Sequence, residues 1–235
     1  HHQPGEVLPP SLALINPKQK GDFYPEKELA GVGLAYKLVQ AYLSKYPQPE
    51  IEAEHWLDLV AIGTVVDLAP LKGENRMLVR AGLEKLRRKP RQGIFSLAQA
   101  AGINLDRCDA VTLGFGLGPR LNAAGRLESA LSALRLLTTE DLFEAGQLAQ
   151  QLDSYNQERQ DMTNEIREKA AEMVLTEDPE AVLFFAAAPE FSEGVVGLAA
   201  GRLCQRYRLP AIALQMDESG EARGSARCPD VEGLD

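Results

Sequence analysis

The sequence predicts an α/β protein of two domains joined by one long helix. From Thr139 to about Thr176 the chain holds no proline and a single glycine, and its apolar residues recur at helical spacing. Thr139 is the expected N-cap. A coiled-coil arm fits this segment less well, because the apolar seam lapses near Arg159. After Pro179, short apolar runs alternate with a helical pattern, which is typical of a small α/β domain.

The N-terminal part is mainly helical in its pattern. Residues 11–15 predict a short strand, and residues 31–45 predict an amphipathic helix. Residues 57–68 have helical apolar spacing, although their β-branched side chains leave a strand open. Residues 74–88 and 93–102 predict two further helices.

Two charged features of this part are singled out. Asp67 lies at the margin of the apolar face of residues 57–68, where a carboxylate is costly to desolvate unless it meets a cation, a metal or several donors. The alternative is an aspartate near a helix end that is bonded to nearby backbone. The basic run of residues 87–91 is more typical of a solvated helix end than of a binding patch.

A glycine-rich run, residues 114–127, holds four glycines and a proline together with Arg120, Asn122 and Arg126. Glycines allow backbone to approach a bound group closely, and these three side chains offer many donors and few acceptors. The run therefore indicates an anion site, with phosphate as the obvious anion. The alternative is a glycine-rich turn between helices whose arginines face water.

The C-terminal part predicts strands at 181–187, 211–216 and 221–228, a helix at 195–207, and a hairpin turn at 217–220. Two of its features could bind an anion. The helix begins near Gly194 and Val195, whose N–H groups would be free. Ser225 and Arg227 share one face of the last strand. The alternatives are a glycine that allows close packing and a strand with its polar face in water.

Composition narrows the classes of function. The net charge of −9 and the pI of about 5.0 argue against a protein that coats nucleic acid non-specifically, but they allow a local basic cleft. Three cysteines without a CxxC pair suggest neither a disulfide framework nor a zinc site, so a reducing cytoplasm is expected. No apolar run approaches the roughly 18 residues of a membrane span, and no signal-peptide pattern is present.

Four stretches in order carry a family resemblance. They are HHQPGE from His1, GTVVDLAPL with Asp67, GPRLNAAGRL from Gly118, and GVVGLAAGRL followed by GSAR. Together they resemble the DHH phosphoesterase family and, within it, the RecJ single-strand DNA exonucleases, over nearly the whole chain. His1 and His2, which could otherwise be the remnant of an expression tag, then correspond to the two histidines of the DHH signature.

The resemblance implies a fold and a metal centre. Residues 1–138 would be the C-terminal part of a DHH domain with a parallel sheet and helices, residues 139–177 a long connecting helix, and residues 178–235 a DHH-associated domain truncated at its C-terminus. His1 and Asp67 would be ligands of a pair of Mn²⁺ or Mg²⁺ ions whose other ligands lie outside this chain. His2 would assist catalysis.

The implied activity is metal-dependent hydrolysis of single-stranded DNA from the 5′ end to mononucleotides, in cytoplasmic DNA repair and recombination. Single-stranded DNA, a single-strand-binding protein and a helicase are the expected partners, with no membrane. Without the upstream aspartates the chain alone should have little or no nuclease activity. The residues expected to bind the strand are Arg120, Asn122, Arg126, Gly194, Val195, Ser225 and Arg227.

The chain departs from the family pattern in one loop and at one strand end. Where these proteins commonly carry a tryptophan-histidine pair before GVVG, this chain has Phe191, Ser192 and Glu193, and Cys228 stands where a serine is common. The rival interpretations are a DHH phosphodiesterase of oligonucleotides or cyclic dinucleotides, and a non-catalytic nucleic-acid-binding relative. GSAR in place of a glycine-rich segment with a histidine argues against the first, and Asp67 with the two histidines argues against the second.

Overall fold

A computed structural model describes residues 1–229. Helices predominate, and three strands form one small mixed sheet, so the predicted α/β class is confirmed. No helix in the described range is long and apolar enough to cross a bilayer. The helices are α1 (Gly31–Lys45), α2 (Leu57–Val66), α3 (Gly73–Arg88), α4 (Gln92–Ala100), α5 (Gly118–Leu127), α6 (Leu131–Thr138), α7 (Leu142–Glu177) and α8 (Glu193–Tyr207). The strands are β1 (Phe184–Ala188), β2 (Ala211–Met216) and β3 (Ala222–Arg227).

The chain divides into two compact units. Unit 1 comprises residues 1–122 and 132–153, and unit 2 comprises residues 123–131 and the chain from residue 154 onward. The division passes within α5 and within α7, each of which is a continuous helix. The three domains given above by residue range stay a prediction.

The strand predicted at residues 11–15 is wrong, because this segment has no regular secondary structure. A strand needs a neighbour to satisfy its backbone N–H and C=O groups. Among residues 1–229 the sheet consists of β1, β2 and β3 alone, all in unit 2, so the parallel sheet that the resemblance implied for residues 1–138 is not found in those residues. Leu12 is fully exposed, so the apolar residues of the segment are not drawn into a core either.

Residues 57–66, for which the sequence allowed either a helix or a strand, form helix α2. It is buried on most of its circumference, including Val60, Ala61 and Ile62, which explains why it lacks a clear polar face. It packs closely on α3, since a Cβ at Gly82 would lie 2.1 Å from the carbonyl oxygen of Leu57. Leu68, placed on the apolar face by its spacing, is 88% exposed because α2 has already ended.

One residue of the basic run is a structural tie, so describing the whole run as a solvated helix end is wrong. The Arg91 guanidinium donates to both oxygens of Asp58, at 2.7 and 2.9 Å, and Asp58 is fully buried in α2. It also donates to the carbonyl oxygens of Leu137 and His55, at 3.0 and 3.2 Å. Arg91, which directly precedes α4, therefore fastens α2 to the start of α4 and to the C-terminal end of α6.

A second network ties the N-terminal segment to α1 and α3. Tyr24 Oη and Lys37 Nζ donate to the two oxygens of Glu74 at 2.5 and 2.6 Å, and Glu26 accepts the N–H of Glu74 at 3.1 Å. Burial raises the pKa of the Glu74 carboxyl, but the hydrogen bonds from Lys37 and Tyr24 outweigh it, so its pKa lies below the ordinary value. The network thus favours the ionised carboxylate.

The long helix is confirmed as α7, whose 36 residues extend about 54 Å at 1.5 Å each. Its predicted cap is wrong by two positions. Asp141 Oδ1 accepts the N–H of Glu144 at 2.7 Å, which is the N-cap bond. The Thr139 hydroxyl instead donates to the Glu144 side chain and accepts the N–H of Asp141.

In unit 2, β1 pairs in parallel with β2, and β2 pairs antiparallel with β3. The predicted hairpin turn is confirmed, since Asp217 and Glu221 close it and Gly220 has φ +84°. The core lies between the sheet, α8 and the second half of α7, with Phe184, Phe191 and Leu203 among its fully buried side chains.

Candidate metal centre and nucleic-acid interface

Asp67 is held by the way α2 ends. The N–H groups of Asp67, Leu68 and Ala69 bond back to the carbonyl oxygens of Gly63, Val65 and Thr64, respectively. This pattern is a Schellman motif, whose turning residue adopts a left-handed conformation that glycine usually fills. Here Leu68 takes it, with φ +58°. The backbone of Asp67 is thereby fixed at the helix terminus.

The two leading histidines lie beside this terminus. His1 Nδ1 is 3.4 Å from Asp67 Oδ2, and the rings of His1 and His2 have centroids 4.4 Å apart. The Asn16 side chain donates to the carbonyl oxygen of His2 at 2.8 Å, and a Cβ at Gly31 would lie 3.4 Å from the His1 ring. The structure therefore brings together the three residues that sequence singled out for this site in unit 1.

The donor set of His1 and Asp67 suits a hard divalent cation. Carboxylate oxygen is a preferred ligand of Mg²⁺ and Mn²⁺, and imidazole nitrogen is also accepted by transition metals. Two neighbouring donors of one octahedral ion lie about 3 Å apart, close to the observed 3.4 Å. Within residues 1–229 the Asp67 carboxylate contacts His1 and accepts no backbone hydrogen bond, so the alternative of an aspartate bonded to its own helix end is wrong.

These two donors form only part of a metal site. Among the described residues no group of three or more histidine, cysteine, aspartate or glutamate side chains could hold an ion. An ion of octahedral preference needs further oxygen ligands or waters. The geometry thus fits the expectation of a shared site to which this chain contributes two ligands.

The glycine-rich run is a helix, so describing it as a turn is wrong. Thr112–Leu117 forms a π-helical segment that continues directly into α5. Its glycines allow packing against the end of α2, since a Cβ at Gly118 would lie 2.4 Å from the Val66 side chain. Such wide helical turns are frequent at functional sites. The part of the run around Gly118 therefore lies against the helix terminus that carries Asp67.

Arg120 of this run is already engaged within unit 1. Its Nε donates to Asp153 Oδ1 at 2.6 Å, and its Nη1 donates to the carbonyl oxygen of Gly116 at 2.8 Å. Of the five N–H groups of a guanidinium, three remain for a ligand. Asn122, two residues on, is exposed. Arg120 is thus a preorganised donor rather than a free one.

In unit 2, Arg126 meets the start of α8. Its Nη1 donates to the carbonyl oxygen of Gly194 at 3.2 Å, and a Cβ at Gly194 would lie 2.4 Å from the carbonyl oxygen of Arg126. Glycine is therefore required at 194 by close backbone approach. The expected free N–H at Val195 is wrong, because it donates to the carbonyl oxygen of Ser192 at 3.1 Å. Within residues 1–229 no acceptor is found for the N–H groups of Glu193 and Gly194.

Ser225 and Arg227 share a face of β3, as their spacing predicts. Both lie against Gly197 of α8, where a Cβ would be 3.4 Å from Ser225 Oγ and 3.6 Å from Arg227 Nη2. The Ser225 hydroxyl and the Arg227 guanidinium therefore lie beside the N-terminal part of α8 within unit 2. This combination offers several donors and a positive end of a helix dipole to an anion.

Two further arginines of unit 2, Arg159 on α7 and Arg202 on α8, bond to Asn156 and Asn164 and were not singled out from the sequence. The signal for Arg202 was available, because the pentapeptide AAGRL occurs twice, ending at Leu127 and at Leu203. The repeat gives Arg126 and Arg202 the same local sequence. No comparable signal marks Arg159.

No protein-family model matches the chain. The chain is 45% identical over 228 residues to the single-stranded-DNA-specific exonuclease RecJ of Bacillus subtilis, covering 97% of this chain and 28% of that protein. It is 36% identical to the protein of the same name from Haemophilus influenzae, covering 100% of this chain and 42% of the relative. Among solved structures, RecJ from Thermus thermophilus in complex with Mn²⁺ matches with a TM-score of 0.78 at 35% identity, over 91% of this chain and 31% of that one. The chain belongs to the RecJ family.

The family resemblance drawn from four motifs is thus confirmed over almost the full chain. A second solved structure, an exonuclease RecJ bound to manganese, matches with a TM-score of 0.76 at 36% identity, over 90% of this chain and 52% of that one. The RecJ-family chain spans less than half the length of the curated relatives named here. The match therefore concerns only a part of each relative.

Proposed function

We propose that the RecJ-family protein represented by this chain is a metal-dependent exonuclease that degrades single-stranded DNA from the 5′ end. The single observation that carries the proposal is the 3.4 Å approach of His1 Nδ1 to Asp67 Oδ2, two donors of the type that Mn²⁺ and Mg²⁺ take. Relatives named as single-stranded-DNA-specific exonucleases, and one solved with Mn²⁺, support it.

His1 and Asp67 would hold one member of a pair of Mn²⁺ or Mg²⁺ ions, with the remaining ligands supplied outside residues 1–229. When bound, the ions supply an activated water and stabilise negative charge on the phosphoryl and leaving oxygens. His2, whose exposed ring lies beside that of His1 at a tilt of 45°, would hold or release a proton near the reacting phosphate.

The other proposed residues position the strand. Arg120 and Asn122 in unit 1 would bind backbone phosphate, with Arg120 preorganised by Asp153. In unit 2 a phosphate would be held by residues around the start of α8, namely Arg126, Gly194, Val195, Ser225 and Arg227. Val195 would contribute through its buried side chain, which packs at the start of α8, because its N–H is already bonded to the carbonyl oxygen of Ser192.

The proposed activity implies roles for the three parts of the chain, a cellular process and protein partners. Residues 1–138, 139–177 and 178–235 would act as the DHH part, the connector and the DHH-associated part of the enzyme. DNA repair and recombination in the cytoplasm is the proposed process, because these pathways create single strands that must be removed. A helicase and a single-strand-binding protein would supply and present the substrate.

The test is Asp67→Asn in the full-length protein. The variant should lose Mn²⁺-dependent release of mononucleotides from 5′-labelled single strands while its melting temperature stays near that of the unmodified protein, because the His1–Asp67 pair is partly exposed and contributes little to stability. Asp161→Asn, an exposed aspartate on α7, is the matched control and should remain active. Unchanged turnover in Asp67→Asn would remove Asp67 from the site.

A further inference from the structure

The two proposed metal ligands, His1 and Asp67, belong to stretches of unit 1 that lie far apart in the sequence. The His1 stretch has no regular secondary structure, and Asp67 follows the last residue of α2. Mg²⁺ demands near-ideal octahedral geometry, so it is bound more tightly when the separation of its ligands is fixed beforehand. Two buried asparagines, Asn16 and Asn75, make the hydrogen bonds that fasten these stretches.

Asn16 fastens the stretch that carries the histidines. Its Nδ2 donates to the carbonyl oxygen of His2 at 2.8 Å. Its Oδ1 accepts the N–H of Lys18 at 3.0 Å, and its own carbonyl oxygen accepts the N–H of Gln19 at 3.1 Å. One end of the amide is therefore held by a local turn, while the other end holds the backbone next to His1.

Asn75 fastens the stretch that follows Asp67. It lies in the first turn of α3 and is fully buried. Its Nδ2 donates to the carbonyl oxygen of Pro70 at 3.1 Å and to that of Glu28 at 2.6 Å. Both hydrogens of the amide are thus used to join two backbone segments, one of which leads directly from the helix terminus that carries Asp67.

A buried amide is costly if packing is its only task. Among residues 1–229 the Oδ1 atom of Asn75 is buried and has no hydrogen-bond partner. An apolar side chain of similar size would avoid that cost, but it would leave the carbonyl oxygens of Glu28 and Pro70 without this donor. The amide is therefore suited to fixing the positions of these two backbone groups.

The two asparagines are linked to each other through Lys18. The N–H of Lys18 is bonded to Asn16, and its Nζ donates to Glu28 Oε2 at 2.9 Å. The segment after Glu28 runs through buried residues 29 and 30 to Gly31, where a Cβ would lie 3.4 Å from the His1 ring. A continuous series of hydrogen-bonded residues therefore connects the two ligand stretches, namely His2, Asn16, Lys18, Glu28, Asn75 and Pro70.

We infer that Asn16 and Asn75 are positioning residues of the metal centre. Neither would touch the metal or the DNA, and each acts through the backbone of a stretch that carries a ligand. Together they hold His1 Nδ1 and Asp67 Oδ2 at the observed 3.4 Å before an ion binds. The inference rests on the proposed function and deepens it. The competing explanation is that both asparagines serve stability alone.

The test measures Mn²⁺ binding to the full-length protein without DNA, by titration with the electron paramagnetic resonance signal of free Mn²⁺ as the readout. Asn75→Leu removes both donors at similar side-chain size. Asn16→Ser keeps an oxygen that can accept the N–H of Lys18, but its side chain is shorter by two heavy atoms and loses the bond to His2. Each variant should weaken Mn²⁺ binding about ten-fold, the lower end of the effect typical for residues that orient metal ligands.

The matched control is Gly93→Ala, which introduces a clash with the carbonyl oxygen of Leu136 elsewhere in unit 1. It should lower the melting temperature and leave the Mn²⁺ affinity unchanged. Excess Mn²⁺ should restore turnover in Asn75→Leu and Asn16→Ser, because both ligands remain in place. A variant that keeps the Mn²⁺ affinity, does not fold, or stays slow in excess Mn²⁺ overturns the inference for its asparagine.

Asp67→Asn in the same titration separates this inference from the proposed function. If Asp67→Asn binds Mn²⁺ as tightly as the unmodified protein, Asp67 is not a ligand and the proposed function fails together with the inference. If Asp67→Asn loses Mn²⁺ affinity while Asn75→Leu and Asn16→Ser keep it, only the inference fails.

Discussion

The ion pair of the fully buried Asp58 and the partly exposed Arg91 offers the sharpest test of how unit 1 is held together. Asp58 is fully buried and accepts two hydrogen bonds from one guanidinium. Removing one partner of such a pair leaves an uncompensated buried charge and typically costs about 3–5 kcal/mol. At about 2–4 °C per kcal/mol for a chain of this size, Arg91→Met should lower the melting temperature of unit 1 by roughly 6–20 °C.

The assay is a double-mutant cycle in thermal or urea unfolding with Arg91→Met, Asp58→Ala and the double variant. The double variant should be more stable than the sum of the single losses predicts, since neither charge is then left alone. The control is the pair Arg80 and Glu84 on α3, which is 3.9 Å apart and largely exposed, and whose disruption should cost less than about 1 kcal/mol. Single losses below 1 kcal/mol at Asp58 and Arg91 would refute the reasoning.

Four further outcomes are expected. Leu68→Gly should stabilise unit 1 by about 1 kcal/mol in urea unfolding, because its φ of +58° is strained for leucine and its side chain is 88% exposed; a loss would show that the leucine packs. The folded-state pKa of Glu74 lies below its ordinary value of 4.5, so its contribution to the free energy of unfolding should be complete above pH 4.5 and lost as the pH falls below that value. Glu74→Gln should therefore reduce the loss of stability on acidification, as measured by urea unfolding across this pH range. Gly93→Ala should destabilise by about 1–3 kcal/mol, since the new Cβ would lie 1.7 Å from the carbonyl oxygen of Leu136; an unchanged melting temperature would contradict that contact. Ser192→His should tighten single-strand binding more at about pH 6 than at pH 8, where the imidazole is neutral, and equal affinities at both would assign no role to the missing histidine.

Sequence was a good guide wherever a pattern is local. The helix at residues 31–45, the strand at 211–216 and the hairpin turn at 217–220 are where their spacing and turn residues place them. The shared face of Ser225 and Arg227 also follows from the two-residue repeat of a strand alone. Such features depend on residues a few positions apart.

The wrong predictions share a different cause, because they concern residues whose structure depends on partners far away in the sequence. Residues 11–15 have strand-like composition but no neighbouring strand in the described range, and Arg91 appeared to belong to a solvated run until Asp58 was found beside it. A turn was the alternative interpretation of the glycine-rich run, because glycine disfavours helices, yet the run is helical and Gly118 is needed for close packing on α2. Tertiary contacts decide these cases, and a local pattern does not contain them.

The π-helical turn at Thr112–Leu117 also sets the direction in which the next side chains of the same helix point around the helix axis. Each residue advances an α-helix by about 100°, so removing one residue from this turn and tightening it would swing the downstream side chains by roughly that angle about the helix axis. Arg120 would then be carried away from Asp153, to which it is now bonded. The π-helical turn therefore keeps the Arg120 guanidinium beside Asp153. A member of this family with a shorter turn should carry a compensating insertion elsewhere in the same helix.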